Sequence, residues 1–210
     1  MKKTILAVAF FATYFISNAQ ESTSKIKFGA KAGLNISSAS VKRAYNTDIS
    51  PLVGIHVGGF ANFKFNEKWA VQSELLYSTQ GFKEYDNDGG YIYDEKLKLT
   101  YINLPLLLQY QLASKFHVEA GPQVDFLLSG KADAYYYDPM FNTSKTYSDI
   151  DVKKFYKSIS FGFSIGAGYA FTPRLSSSIR YNLGLSEAED YPDTKTKNRN
   201  LQISLSYSLN

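Results

Sequence analysis

The sequence predicts an all-β fold: an eight-stranded antiparallel up-and-down transmembrane β-barrel with four long outer loops and three short periplasmic turns. Three observations lead to this prediction. Eight segments alternate between apolar and polar residues, the connections between them alternate between short and long, and the polar face of the segments is rich in small residues.

The eight segments show the period-two alternation of β-strands. In the last of them, Leu201, Ile203 and Leu205 lie on one face, whereas Gln202 and Ser204 lie on the other. The segments cover residues 27–36, 53–65, 69–82, 97–111, 115–129, 157–171, 174–185 and 199–209.

The connections alternate in length, as in outer-membrane barrels, where short turns face the periplasm and long loops face the exterior. An even number of strands places both ends of the barrel on the periplasmic side. The short connections are residues 66–68, 112–114 and 172–173, and the long polar ones are 37–52, 83–96, 130–156 and 186–198.

The polar face favours a membrane barrel over a soluble lipocalin-type barrel, which hides its apolar face inside. This face is rich in Gly and Ser, which suit the crowded interior of a narrow barrel. The apolar face carries no charged residue in any segment, and a charge there would cost about 2–4 kcal/mol at the bilayer midplane. Aromatic residues near the periplasmic segment ends predict an interfacial girdle: Phe28, Phe63, Phe65, Trp69, Tyr110, Phe116, Phe171 and Tyr207.

Pro105 and Pro122 interrupt the fourth and fifth segments, where each removes a ladder donor. Counted outward from the turn between these segments, the two prolines lie nearly opposite each other. We therefore expect a local bulge or a widened gap in this hairpin.

Residues 1–19 have the composition of a cleaved secretory signal, with a basic start at Lys2 and Lys3, an apolar run, and small residues before a cut after Ala19. We therefore expect export to the bacterial outer membrane and a barrel domain of residues 20–210. The two lysines supply half of the formal net charge of +4, so the balanced remainder gives no support for nucleic-acid binding. The chain has no cysteine, which excludes disulfides, thiolate metal sites and lipoprotein anchoring.

A family resemblance covers the whole predicted barrel. Residues 101–110 read Tyr-Ile-Asn-Leu-Pro-Leu-Leu-Leu-Gln-Tyr, and residues 119–129 read Glu-Ala-Gly-Pro-Gln-Val-Asp-Phe-Leu-Leu-Ser. With residues 162–169 and 180–185, they resemble the PorT-like outer-membrane β-barrel family of Bacteroidetes. The resemblance implies an outer-membrane barrel and, through the family's named member, a link to type IX secretion and gliding-associated export. Asn103 stands where the family pattern usually has Glu, which implies a rearranged interior ion network.

The inward face carries several ionisable residues, and we expect four of them to meet at one height above the periplasmic end. They act either as a proton or ion relay or as a salt-bridge cluster that plugs the barrel. The plug is favoured, because buried charges need partners and eight strands leave little room for a pore. The predicted interior ion cluster consists of Lys31, Glu74, Glu119, Asp125 and Arg180, accompanied by Gln72, Asn103 and Gln109.

The two histidines, His56 and His117, are both phased inward, near opposite ends of the barrel. A Ser/His/acid enzyme would need a histidine close to a serine and a carboxylate, for which His56 with Ser50 or Asp48 is available. Nothing in the spacing singles out that arrangement, so we predict no catalytic residues. Metal-ligand spacing is also absent, and we predict neither a metal nor a cofactor.

The long loops carry exposed-type aromatic residues. Residues 83–96 predict a hairpin tip rather than a calcium loop, because Gly89 comes too early for calcium-loop spacing. Residues 130–156 predict either a contact surface or extended strands whose aromatics pack on one another. The candidate loop contacts are Tyr85, Tyr91, Tyr93, Tyr135, Tyr136, Tyr137, Phe141 and Tyr147.

These patterns predict a non-enzymatic protein of the outer membrane, surrounded by lipid, whose outer loops contact a protein or polysaccharide partner, with a link to protein secretion. Two alternatives stay open: a lipid-modifying enzyme of the deacylase type, and a purely structural envelope barrel.

Overall fold

The computed structural model describes residues 25–42, 48–88, 90–189 and 195–210, so the predicted signal segment lies outside the described residues. Within these ranges, no helix is long and apolar enough to cross a membrane. The described strands are β1 (Ile26–Lys42), β2 (Asp48–Lys64), β3 (Trp69–Asp88), β4 (Tyr91–Ala113), β5 (Phe116–Asp138), β6 (Thr143–Asp151), β7 (Ile159–Ala170), β8 (Leu175–Gly184) and β9 (Lys195–Ser208).

Eight of these strands close into a ring in the order β1-β2-β3-β4-β5-β7-β8-β9, and β9 pairs back with β1. Every neighbouring pair is antiparallel. The predicted eight-stranded antiparallel barrel is therefore confirmed. Short turns at residues 65–68, 114–115 and 171–174 lie at one end, as predicted, and the longer connections lie at the other.

A further strand, β6, was not predicted. It pairs with the far half of β5, beyond the ring. All its residues are exposed, and it is polar on both faces, so it lacks the alternation that marks a half-buried strand. The predicted hairpin over residues 83–96 is confirmed, because β3 and β4 continue to Asp88 and Tyr91.

The far halves of β3, β4 and β5 form, with β6, a four-stranded extension that we call the outer sheet (residues 82–88, 91–97, 132–138 and 143–151). A membrane crossing needs only about 9–11 residues of strand, whereas β4 and β5 each have 23. Much of what the sequence predicted as loop is therefore ordered sheet.

The ring is apolar outside and polar inside. Leu75, Ile165 and Leu205 are more than half exposed, whereas Asn35 and Ser164 are completely buried. This is the inverse of a soluble barrel and matches a wall in contact with lipid. The predicted girdle residues lie on the outside, where Trp69 packs on Tyr110 with ring centroids 4.7 Å apart.

The prediction that the outward face of the segments carries no charged residue is wrong at Lys98 of β4, which is exposed. Leu97, Leu99 and Leu107 are buried inside the barrel. Farther out, the strand leaves the lipid, so its charged residues face outward and its leucines face inward.

Apolar side chains fill the long-loop end of the barrel, in what we call the outer plug: Ala39, Phe82, Leu97, Leu99, Tyr101, Leu127 and Ala132. A bulge helps to form it. Thr100 pairs with Ser129 and Tyr101 with Leu127, so that Leu128 is an extra residue. The strand phase changes after it, and Ala132 turns inward.

The two prolines open a gap in the β4–β5 ladder, as predicted. Pro105 pairs with Gln123, and Leu108 pairs with Ala120 in the same register. The described residues between them form no ladder pairs, because neither Pro105 nor Pro122 has an N–H to donate.

Candidate functional site

Four of the five predicted ion-cluster residues meet inside the barrel. Arg180 donates two hydrogen bonds of 2.8 Å to the two carboxylate oxygens of Glu74, and its Nε donates another of 2.8 Å to Glu119. Lys31 donates to the same Glu74 carboxylate at 3.0 Å. All four side chains are almost completely buried, so two cations and two anions neutralise one another in a water-poor space.

The local sequence makes room for this cluster. Gly166 on β7 lies directly opposite Arg180 on β8, and a Cβ there would stand 3.2 Å from the Cβ of Arg180. Polar neighbours donate further hydrogen bonds to the two carboxylates. Gln72 donates to Glu74 at 2.7 Å, and Gln109 donates to Glu119 at 2.9 Å.

Asp125 does not belong to this cluster, which corrects the sequence-based grouping. Its carboxylate instead accepts hydrogen bonds from Asn103 at 2.5 Å and from Gln123 at 2.7 Å. It lies farther along β5, opposite Asn103, near the outer plug. Spacing along one strand placed Asp125 on the correct face, but barrel tilt and the β4–β5 pairing decide its height.

His56 forms a serine–histidine–asparagine array with residues that the sequence did not connect. Its Nδ1 lies 2.9 Å from Asn35 Oδ1, and its Nε2 lies 2.9 Å from Ser204 Oγ. Asn35 uses its own NH2 to donate to Ser78 Oγ at 2.9 Å, so its Oδ1 is the acceptor for His56. The hydrogen-bond order resembles that of a nucleophile, a base and an orienting group.

This array is closed to substrates. Asn35, His56 and Ser204 are each at most 2% exposed. Asp48 and Ser50, the partners considered from sequence, are exposed and pair with Tyr85 and Lys83 at the start of β2. The array therefore fills the barrel as a hydrogen-bonded layer next to the ion cluster.

His117 lies at the short-turn end of the interior. Its Nε2 is 3.8 Å from Glu119, and its side chain is 18% exposed. A small cavity of about 150 Å³ reaches from this end to Lys31, His117 and Glu119. The ion cluster is thus approached by solvent from the short turns, whereas the outer plug closes the other end.

The outer sheet gathers the candidate aromatic contacts on two opposite faces. One face continues the barrel interior, because Glu84 follows the buried Phe82 in alternation. We call it the tyrosine face: Tyr91, Tyr93, Tyr136 and Tyr147 with Glu84, Asp86, Glu95 and Lys145. The other face continues the lipid-facing wall, and we call it the lysine face: Lys83, Lys96, Lys98 and Lys131 with Tyr85, Tyr135 and Tyr137.

Direct strand pairing fixes these side chains in rows. Tyr93 lies directly opposite Tyr136, and Tyr136 lies directly opposite Lys145. The Tyr93 hydroxyl donates to Glu95. Phe141, in the turn between β5 and β6, is 71% exposed. The outer sheet is therefore an ordered aromatic surface standing beyond the ring.

Acidic groups concentrate at the base of the tyrosine face. Glu84 lies directly opposite Glu95, and both carboxylates, with Glu189, raise the pKa of Tyr156, although burial of its phenol is the larger cause. Among the described residues, no three His, Cys, Asp or Glu side chains are arranged to hold a metal ion.

The family model for the outer membrane protein beta-barrel domain matches residues 18–189. The chain belongs to this family. It is thus a small outer-membrane β-barrel, with its short turns toward the periplasm and the outer sheet outside the cell. No curated protein matches the sequence significantly.

The solved structures that resemble this chain include three bacterial outer-membrane barrels, all at low sequence identity. Neisserial surface protein A is 15% identical, over 90% of this chain and 100% of that one, with a TM-score of 0.49. Ail of Yersinia pestis, solved with the heparin analogue sucrose octasulfate, is 14% identical over 88% and 100%, with a TM-score of 0.45. OprG of Pseudomonas aeruginosa is 13% identical over 87% and 95%, with a TM-score of 0.44.

Proposed function

We propose that this protein is a non-enzymatic surface barrel whose tyrosine face binds a protein segment carrying basic residues outside the cell. The observation that carries the proposal is an ordered, half-exposed row of tyrosines beside carboxylates on the outer sheet. Tyr91, Tyr136 and Tyr147 are each 38–49% exposed although they stand on paired strands. Tyrosine gives a large contact area for little loss of side-chain entropy.

The charges on this face define the chemistry of the partner. Asp86 lies directly opposite Tyr93, and Glu95 lies two residues farther along β4; both carboxylate side chains are partly exposed. A lysine or arginine from a partner would pair with these carboxylates and could also stack on a tyrosine ring. The partner we favour is therefore a protein segment rather than a neutral polysaccharide.

The lysine face suits a different neighbour. It continues the lipid-facing wall, so its lysines stand at the level of the anionic groups of the outer leaflet. Lys98 and Lys131 each pair with an aspartate, Asp133 and Asp149, at 2.6 Å and 3.0 Å. We assign this face to the membrane surface and the tyrosine face to the partner.

A link to protein secretion follows from the same proposal. The resemblance to the PorT-like family would place the partner among exported proteins or components of their secretion machinery, and a cleaved signal would deliver the barrel to the outer membrane. A lipid-modifying activity is disfavoured, because the serine–histidine array found among the described residues is buried away from the lipid-facing wall. Substitution of Ser204 by Ala should leave the lipid A mass profile unchanged.

The neighbouring residues Tyr135 and Tyr136 allow a matched test. They are 38% and 40% exposed but lie on opposite faces of the outer sheet. A photo-crosslinking amino acid at position 136 should give a protease-sensitive adduct in living cells, and the same probe at position 135 should not. Equal adducts at both positions, a polysaccharide adduct or no adduct at position 136 would contradict the proposal.

A further inference from the structure

The periplasmic end of the barrel is strongly basic. Among the described side chains of its turns and strand ends, six cations stand against one carboxylate, Glu67. This imbalance differs from the mixed charges of the outer sheet. The cations are Lys25, Lys27, Lys64, Lys68, Lys115 and Arg174.

Four of these lysines line one cleft with a volume of about 530 Å³. Lys25, Lys27, Lys64 and Lys68 contribute its cationic side, and the adjoining turn contributes the aromatic rings of Phe65 and Trp69. The lining also includes the carboxylate of Glu67 and amide side chains of the barrel mouth. Strand pairing brings Lys25 and Lys64 close to each other, because the backbone N of Lys64 donates to the carbonyl oxygen of Lys25 at 2.8 Å. Like charges at facing positions destabilise a sheet unless a counterion joins them.

The aromatic side of the cleft belongs to the membrane girdle. Phe65 and Trp69 are 51% and 40% exposed, and Trp69 packs on Tyr110 on the outer wall. The turn is held in shape by Asn66, whose side chain accepts hydrogen bonds from Lys68 N and Trp69 N at 2.9 Å each. The cleft therefore joins a cationic edge to a lipid-facing aromatic wall.

The cationic edge is not neutralised within the described part of the chain. Its ion pairs involve Lys31, Lys98, Lys131, His117 and Arg180, and none involves the four lysines of the cleft. With Glu67 in the same lining, four lysines against one carboxylate leave an excess of three positive charges, which an external anion would neutralise.

We propose that this cleft binds the phosphate headgroup of an anionic phospholipid from the inner leaflet of the outer membrane. The lysines hold the phosphate, and an acyl chain runs along Phe65 and Trp69. Such a lipid uses both walls of the cleft, whereas a soluble anion uses only the cationic one. Each lysine near a charged lipid surface contributes about 1 kcal/mol, or about fivefold in affinity.

Lipid retention measures this directly. The full-length barrel is placed in nanodiscs of phosphatidylglycerol and phosphatidylethanolamine, and the lipids that stay bound are counted by native mass spectrometry. The wild type should retain phosphatidylglycerol in preference to phosphatidylethanolamine. The triple variant Lys25→Gln, Lys64→Gln and Lys68→Gln should lower that preference by about tenfold or more.

A matched triple variant at the external end, Lys145→Gln, Lys153→Gln and Lys154→Gln, removes three exposed lysines outside the cleft and the lysine face and should keep the preference. Both proteins are first checked for a folded barrel by the heat-dependent shift in gel mobility. Trp69→Ser separates a lipid from a free anion, since only lipid retention depends on the aromatic wall.

Four results would overturn the proposal. One is equal retention of the two lipids by the wild type, and another is an equal loss of preference in the two triple variants. A third is full displacement by inorganic phosphate with no effect of Trp69→Ser, which would indicate a free-anion site. The last is binding of purified peptidoglycan that is lost in the cleft variant while lipid retention is unchanged.

Discussion

Arg180 on β8 holds Glu74 on β3 through two hydrogen bonds of 2.8 Å, although the two strands lie four places apart in either direction around the ring. The pair thus spans the barrel and supplements the strand ladders. With Glu119 and Lys31, it fixes the cross-section of the barrel near its periplasmic end. This favours the plug over the relay, since Asp125 lies outside the cluster and the outer plug closes the far end.

Removal of Arg180 should destabilise the barrel strongly. Arg180→Met leaves Glu74 and Glu119 buried with only Lys31 as a cationic partner inside the cluster, and breaking such a network typically costs about 3–5 kcal/mol. Urea unfolding of the refolded barrel in lipid vesicles measures the loss.

Arg199→Met, at an exposed position of β9, is the matched control and should change stability little. Arg180→Met combined with Glu74→Gln and Glu119→Gln should recover part of the loss, because the unpaired charges are removed as well. A single Arg180→Met variant as stable as the wild type would show that the cluster does not hold the barrel together.

Gly33→Ala should disturb the serine–histidine–asparagine layer. A Cβ at this position would lie 2.7 Å from His56 Cε1 and 2.8 Å from Ser204 Cα. Overpacking of this kind typically costs about 1–3 kcal/mol. Gly59→Ala on the neighbouring strand is the control, because the nearest atom to a Cβ there is 3.5 Å away. Equal unfolding midpoints in urea would contradict the close packing.

Phe82→Ala should loosen the outer plug. Phe82 is 2% exposed and packs in the cluster with Leu97 and Ala132. The cavity left by the phenyl ring should lower the free energy of local unfolding of this region by about 3–5 kcal/mol. We expect faster trypsin cleavage at Lys153 and Lys154, which adjoin Val152 of the plug, while the gel shift of the folded barrel is retained. Unchanged cleavage would argue against a plug that anchors this segment.

Tyr156 should make the external end sensitive to alkali. Burial, and then the carboxylates of Glu189, Glu95 and Glu84, raise the pKa of its phenol above the usual value of 10.0. Because this pKa is higher in the folded than in the unfolded state, its contribution to the free energy of unfolding is fully present below pH 10. The contribution is lost as the pH rises further. The measurement is the difference in absorbance at 295 nm between the wild type and the Tyr156→Phe variant near pH 10. For the folded proteins this difference should show no phenolate from Tyr156, whereas for the unfolded proteins it should show one.

The outer part of β5 and β6 should be removable without loss of the barrel. Tyr135 lies directly opposite Thr146, so replacement of residues 136–145 by Asn-Gly closes a two-residue hairpin at that level. The plug residue Ala132 and its neighbour Val152 are kept. The shortened protein should refold and shift normally on gels. A photo-crosslinking amino acid at position 91 of the tyrosine face should give a partner adduct in the full-length protein and none in the shortened one. Failure to refold would mean that the outer sheet is part of the folding unit.

The amino-acid sequence by itself determined the barrel, because a wall between lipid and a crowded interior imposes strict alternation on each strand. It placed Lys31, Glu74, Glu119 and Arg180 on the inward face for the same reason. It could not reveal β6, whose residues are exposed on both faces.

Only the tertiary structure decided which inward residues share a height. Strand tilt and register bring Glu74 to Arg180 across the ring and leave Asp125 with Asn103, and they join His56 to Ser204 across 148 positions of sequence. Alternation along one strand predicts which face of the sheet a residue occupies, but not its height along the barrel axis. That height is set by the closure of eight strands into one ring, a property of the whole chain.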